Sequence, residues 1–140
     1  MSSLRKVTLY SDGGARGNPG PAAIGVLICD ESGAELQDHQ EVIGNTTNNV
    51  AEYRAVLAGL DLAKKLGARE VHCFVDSELV AKQMSGEYRV KTPHIQELFM
   101  KVLEKRKNFE RVQFTHVPRT HEKIRHVDRL VNQALDFAGH

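Results

Sequence analysis

The sequence predicts an α/β domain built on a five-stranded mixed sheet, in which an antiparallel meander is extended by parallel strands and flanked by helices. Three features of the 140 residues carry this expectation. Residues 6–43 alternate strand-like runs with turn-forming clusters. At Asn49 the apolar period lengthens to that of a helix. From there strand-like and helical segments alternate, so the order reads β-β-β-α-β-α-α-β-α.

Each element has a local reason. Lys6 to Asp12 reads as the first strand, from its β-branched and aromatic residues. Gly13 to Pro21 is turn chemistry throughout, and Ala22 to Cys29 is an apolar second strand. After the turn Asp30–Gly33, Glu35 to Ile43 forms a third strand, polar enough to sit near an edge. Asn49 can cap a helix running to Leu66, with Glu52 at its third position and Gly67 as its stop. Val71 to Val75 is a fourth strand, expected parallel to the first through a right-handed crossover. Asp76-Ser77 opens a short helix ending near Gly86. Thr92-Pro93 starts the next, with Ile95, Leu98, Phe99, Val102 and Leu103 as its apolar stripe. Val112 to Val117 is the fifth strand. A loop from Pro118 to about Ile124 precedes a last helix, striped by Val127, Leu130, Val131, Ala134, Leu135 and Ala138.

The length suits one domain, residues 1–140, with a core that needs neither disulfide nor structural metal. Hydrophobic residues make up 41% and charged residues 26%, as in ordinary globular proteins. No apolar run approaches the roughly 20 residues that span a bilayer. Residues 1–6 contain no secretory core, so the expectation is a cytoplasmic monomer without a membrane or an obligate protein partner. Cys29 and Cys73 sit in apolar strand-like runs and read as buried reduced thiols. The formal charge of +1 neither demands nor excludes nucleic acid. Two basic stretches, Arg119 to Arg129 and Lys101 to Lys107, read as solvated surface unless they flank a site.

Four carboxylates carry the chemistry. Asp12 and Asp76 end the first and fourth strands, and ligands of open α/β sheets bind at such strand ends. Taken alone, Asp12 serves as a turn residue and Asp76 as a helix cap. As parallel neighbours they would repel unless a cation or proton lay between them. Asn49-x-x-Glu52 has the spacing of a capping arrangement. Glu52 nonetheless shares a face with Val56, Gly59 and Ala63, which directs it toward the sheet, where a charge needs a partner. Asp128, in the first turn of the last helix, suits the helix dipole and lies in line with Val131 and Leu135. Four carboxylates with no obvious lysine or arginine partner point to a hard cation, Mg²⁺ or Mn²⁺. Two ions about 4 Å apart are a recurrent device for in-line phosphodiester cleavage.

The same residues fall in runs that resemble type 1 ribonuclease H. Tyr10-Ser11-Asp12-Gly13-Gly14-Ala15-Arg16-Gly17-Asn18-Pro19-Gly20 resembles its first motif and Thr46-Thr47-Asn48-Asn49-Val50-Ala51-Glu52 its second. Val75-Asp76-Ser77 resembles the third, and His126-Val127-Asp128-Arg129-Leu130-Val131-Asn132 the fourth. The resemblance implies the ribonuclease H-like fold and cleavage of the RNA strand of an RNA–DNA hybrid by two Mg²⁺ ions, leaving 5′-phosphate and 3′-hydroxyl ends. It implies catalytic and metal-binding roles for Asp12, Glu52, Asp76 and Asp128. Contacts to the RNA strand fall to Gly13, Asn18 and Asn48, with Thr47 placed for a phosphate. An amide side chain can answer both capacities of a 2′-hydroxyl.

Two departures stand out. Met84 to Pro93 is short, so the basic handle of many members is missing; the run near Lys105 is the candidate substitute. The loop before Asp128 is also short, leaving His121, with His126 second, as the candidate for a histidine that assists the leaving group. Three alternatives remain open on the sequence: another nuclease of the same fold, a non-catalytic hybrid-binding module, and an α/β domain whose acids are only caps and turn residues.

Overall fold

The computed structural model describes residues 5–140; Met1 to Leu4, most of the stretch read as free of a secretory core, lie outside the described residues. The elements are β1 (Lys6–Ala15), β2 (Gly20–Cys29), β3 (Glu35–Thr46), α1 (Asn48–Lys65), β4 (Glu70–Val75), α2 (Glu78–Met84), α3 (Pro93–Arg106), β5 (Arg111–His116) and α4 (Glu122–Phe137). The strands form one sheet in the order β3-β2-β1-β4-β5. β1, β2 and β3 are the antiparallel meander, and β4 runs parallel to both β1 and β5. The polar third strand is an edge, as its composition predicted.

Alternation along the strands divides the core. On one face Val7, Leu9, Val26, Ile28, Val71 and Cys73 pack with Tyr53, Val56 and Leu60 of α1 and Val102 of α3. On the other, Ala23, Leu27 and Cys29 receive Ile124, Val127, Leu130, Val131 and Leu135 of α4. β2 is therefore buried on both sides, which explains its unbroken apolar run. Both cysteines are free and buried. Among the described residues no helix is long and apolar enough to cross a membrane.

The first hairpin differs from the sequence expectation. β1 continues through Gly13, Gly14 and Ala15, which pair with Ile24, Ala23 and Ala22, so only residues 16–19 form the turn. Glycines that look like turn residues are here strand residues, because two helices need their missing side chains. A Cβ on Gly13 would collide with the Ala51 backbone and lie 2.6 Å from the Glu52 nitrogen. A Cβ on Gly25, the partner of Asp12, would collide with the Val127 carbonyl. The first glycine seats α1 on the sheet and the second seats α4.

Helix ends also shift. The cap of α1 is Thr47, whose hydroxyl accepts from the Val50 N–H at 3.3 Å, so Asn49 lies inside the helix. Ser77, not Asp76, caps α2, and its oxygen accepts from Val80. α4 begins at Glu122, which puts Asp128 in its second turn, beyond the reach of the N-terminal dipole that a first-turn position would give. It ends at Phe137, leaving Ala138 as an exposed cap outside the apolar stripe.

Gly25→Ala is expected to lower stability by about 1–3 kcal/mol through overpacking against α4. Urea denaturation followed by circular dichroism measures it; an unchanged midpoint would refute this account of the α4 seat.

Candidate active site

The parallel ladder between β1 and β4 ends at the pair Tyr10–Phe74. Beyond it, two residues further along each chain, Asp12 and Asp76 stand past the parallel pairing, while Asp12 stays paired with Gly25 of β2. Asp12 is thus not the last residue of β1 but the second beyond the parallel pairing. α1, held against Gly13, brings Glu52 to the same place. Carboxylate oxygens of Asp12, Glu52 and Asp76 all lie within 4.8 Å of one another. Asp128 is outside this trio but lines the same cleft, with Asp12, Gly13, Glu52, Arg119 and Asn132. The Val127 carbonyl resting on Gly25 brings the Val127–Asp128 peptide down beside Asp12. The cleft encloses about 380 Å³.

Burial and crowding act together on the acids. Asp12, 7% exposed, has its pKa raised from 3.8 to about 8, first by desolvation and then by Asp76, Asp128 and Glu52. Glu52 is raised from 4.5 to about 7 by desolvation and then by Asp76. An all-oxygen donor set that repels itself fits a hard divalent cation.

The expectation that no basic residue partners these acids is corrected. Arg119 Nε donates to Asp76 Oδ2 at 3.1 Å, and the Asp76 side chain is only 5% exposed. Arg119 lowers the pKa of both Asp12 and Glu52. The sequence signal existed, since Arg119 opens the basic stretch before α4. Only the fold shows that this stretch flanks the acids. The end of the second basic stretch is otherwise occupied: Lys105 pairs with Asp61 at 2.6 Å, Lys107 with Glu104 at 3.1 Å, and Arg106 lies over the Phe114 ring.

The remaining predicted residues divide. Asn48 Oδ1 accepts from the Ala15 N–H at 2.8 Å, and Asn18 Oδ1 accepts from the Asn48 N–H at 3.0 Å. Each amide oxygen thus holds one backbone N–H and keeps a second lone pair, and each NH₂ keeps both of its donors. Thr47 spends one lone pair on the α1 cap and retains its O–H as a donor. His121 caps α4, with Nδ1 accepting from the Lys123 N–H at 3.1 Å and its ring against Tyr10. It does not line the cleft. His126 faces Asp38 at 3.3 Å.

The family model described as reverse transcriptase-like matches residues 10–134. A bifunctional protein of Mycobacterium tuberculosis is 44% identical over 136 residues, which cover 96% of this chain and 36% of that protein. The chain thus spans about a third of the length of that relative. Ribonuclease HI of Halobacterium salinarum is 38% identical over 134 residues, covering 95% of this chain and 66% of that protein. LC11-RNase H1, solved in complex with an RNA/DNA hybrid, superposes with a TM-score of 0.87 at 45% identity, covering 96% of this chain and 99% of that one.

The raised carboxylates set a pH dependence. The folded protein binds these protons more tightly than the unfolded chain, so their contribution is complete below the ordinary carboxylate range and is lost as pH rises towards about 8. With chelator present, the thermal midpoint is expected to fall as pH climbs from about 4 to about 8, and Asp12→Asn to flatten that decline. Mg²⁺ should restore the midpoint at the alkaline end. Melts showing a rise over that interval, or no response to a divalent ion, would contradict the site.

Proposed function

The chain belongs to the ribonuclease H family, and from that membership we propose that it is an endonuclease hydrolysing the RNA strand of RNA–DNA hybrids with two Mg²⁺ ions, Mn²⁺ being an alternative. The observation that carries the proposal is the meeting of Asp12, Glu52 and Asp76 within 4.8 Å beside a cleft. The relative named ribonuclease HI and the neighbour bound to an RNA/DNA hybrid support the substrate class. The domain spans the 140 residues and acts as a monomer; the buried free thiols of Cys29 and Cys73 favour a reducing compartment such as the cytoplasm.

Divalent ions held by Asp12, Glu52, Asp76 and Asp128 would activate water and stabilise the leaving 3′-oxygen. Asp12 would be the central ligand, because it is buried and is crowded by all three other acids. Arg119 offers charge compensation on the Asp76 side and stands at the mouth of the cleft, where an anionic strand would enter. Asn18 and Asn48 present NH₂ groups to the lone pairs of a 2′-hydroxyl, an acceptor that deoxyribose lacks. Gly13 lines the cleft with backbone alone, and Thr47 keeps a donor for a phosphate at the start of α1. With residues 85–92 as the only link between α2 and α3, no basic handle grips the hybrid, and affinity falls to the cleft itself. His121 supports the α4 start rather than the leaving group.

An end-labelled RNA–DNA hybrid tests the proposal, beside duplex DNA, duplex RNA and single-stranded RNA. The expected outcome is Mg²⁺-dependent cutting of the hybrid's RNA strand and its loss in a folded Asp12→Asn variant. Binding without cutting, with either Mg²⁺ or Mn²⁺, would indicate a hybrid-binding module instead. Asn48→Asp, which keeps the acceptor for Ala15 and removes the donor, should raise KM for the hybrid about tenfold, equivalent to about 1.4 kcal/mol. An unchanged KM would remove Asn48 from substrate recognition.

A further inference from the structure

Arg16 directly follows β1 and lines the cleft, and its guanidinium is engaged on both arms. Nη1 donates to the main-chain oxygen of His140 at 2.6 Å and pairs with Asp136 Oδ1 at 2.8 Å. Nη2 donates to Asn132 Oδ1 at 3.2 Å and to its main-chain oxygen at 3.4 Å. Every one of these acceptors belongs to α4 or the residues just after it. Asn132 in turn donates through Nδ2 to the main-chain oxygen of Asp128 at 3.1 Å.

The rest of the α4 seat is of a different kind. Val127, Leu130, Val131, Ala134 and Leu135 rest on Ala23, Leu27 and Cys29 and close on Gly14 and Gly25, through apolar and main-chain contacts that, among the described residues, include no hydrogen bond or ion pair to the sheet. At its other end Lys123 and His126 reach Glu35 and Asp38, half-exposed acids on the edge strand β3, which carries none of the site. Among the described residues, the hydrogen bonds and ion pairs between α4 and the β1–β2 turn all pass through Arg16. The turn is itself anchored: the Arg16 N–H donates to the Pro21 carbonyl at 2.8 Å, and Ala15 is tied to Asn48 at the start of α1. A path of directional bonds therefore joins the helix bearing Glu52 to the helix bearing Asp128.

We infer that Arg16 is a positioning residue: by fixing α4 along its axis, it sets the distance of Asp128 from the trio Asp12, Glu52 and Asp76. The inference rests on the metal-dependent reading above. It assigns Arg16 no contact with substrate, since its guanidinium arms are already spent on protein oxygens. Its fork is what matters, because a lysine offers a point charge and cannot hold two separate acceptor groups in the same plane.

The test titrates Mg²⁺ against wild type, Arg16→Ala and Arg16→Lys, reading the Mg²⁺-induced rise in thermal midpoint without substrate, then hybrid cleavage over the same range. In Arg16→Ala the half-saturating Mg²⁺ concentration should rise about tenfold or more, as for other residues that orient metal ligands. Cleavage should fall at low Mg²⁺ and recover at high Mg²⁺, with KM for the hybrid unchanged. Arg16→Lys should behave like Arg16→Ala. An unchanged Mg²⁺ response with a raised KM would make Arg16 a phosphate contact and overturn the inference, as would full restoration by lysine. If Arg16→Ala does not fold, Asn132→Ala cuts one arm of the same tie. It should shift the Mg²⁺ response in the same direction, and no shift overturns the inference. A wild type that binds Mg²⁺ but cuts no hybrid sinks the proposed activity alone, and the thermal titration still decides on Arg16. A wild type without any Mg²⁺ response overturns both.

Discussion

Carboxylates crowded at the ends of two parallel strands repel one another, and the surrounding structure is organised to hold them there. Neither Asp12 nor Glu52 sits comfortably as an anion: both are desolvated, and each feels its neighbours. A folded chain tolerates such an arrangement only when the frame is stiffer than the repulsion or when a cation answers it. Both answers are visible. The frame is a sheet covered along one face by α1 and α3 and over the meander on the other by α4, and Arg119 supplies a partial counter-charge that an incoming ion would supplement.

The frame reaches the site by backbone rather than by side chain. Gly13 admits the Ala51–Glu52 peptide, and Gly25 admits the Val127–Asp128 peptide, from opposite faces of the sheet. Two helices thus close on the end of β1 like the jaws of a clamp, each carrying one acid. Main-chain contact is less forgiving than side-chain contact, because no rotamer change can relieve a clash. Core packing and site geometry are consequently the same problem in this protein. The amides of Asn18 and Asn48 belong to the same scheme: by binding backbone N–H groups they brace the hairpin against α1 and turn their donors outward.

Much of this was legible in the sequence. Strand order near the meander, the polar edge, the inward face of Glu52 and the pairing of Asp12 with Asp76 all follow from periodicity and from where strand-like runs stop. The errors share one cause. Gly13 and Gly14 were read by conformational preference as turn, whereas tertiary contact keeps them in β1. Asn49 offers the cap chemistry, but Thr47 has the backbone position for it. Arg119 looked like one more exposed base in a basic loop, and its partner lies 43 residues away in sequence. Local chemistry names the candidates; only long-range packing selects among them. The resemblance to a known family supplied the role of Asp128, whose sequence neighbourhood points no further than a helix face.

The four acids come from β1, α1, the end of β4 and α4, so the site spans residues 12 to 128. Ion sites built from one contiguous loop can form in an otherwise unstructured segment and help folding to begin. This one cannot: Asp12, Glu52 and Asp76 meet only once β1, β4 and α1 are assembled, and Asp128 joins them only when α4 docks. A bound cation would thus grip the chain only after folding is nearly complete, acting chiefly to retard unfolding rather than to hasten folding. An ion held there would in this sense be a kinetic lock on the native state, closed last and opened first.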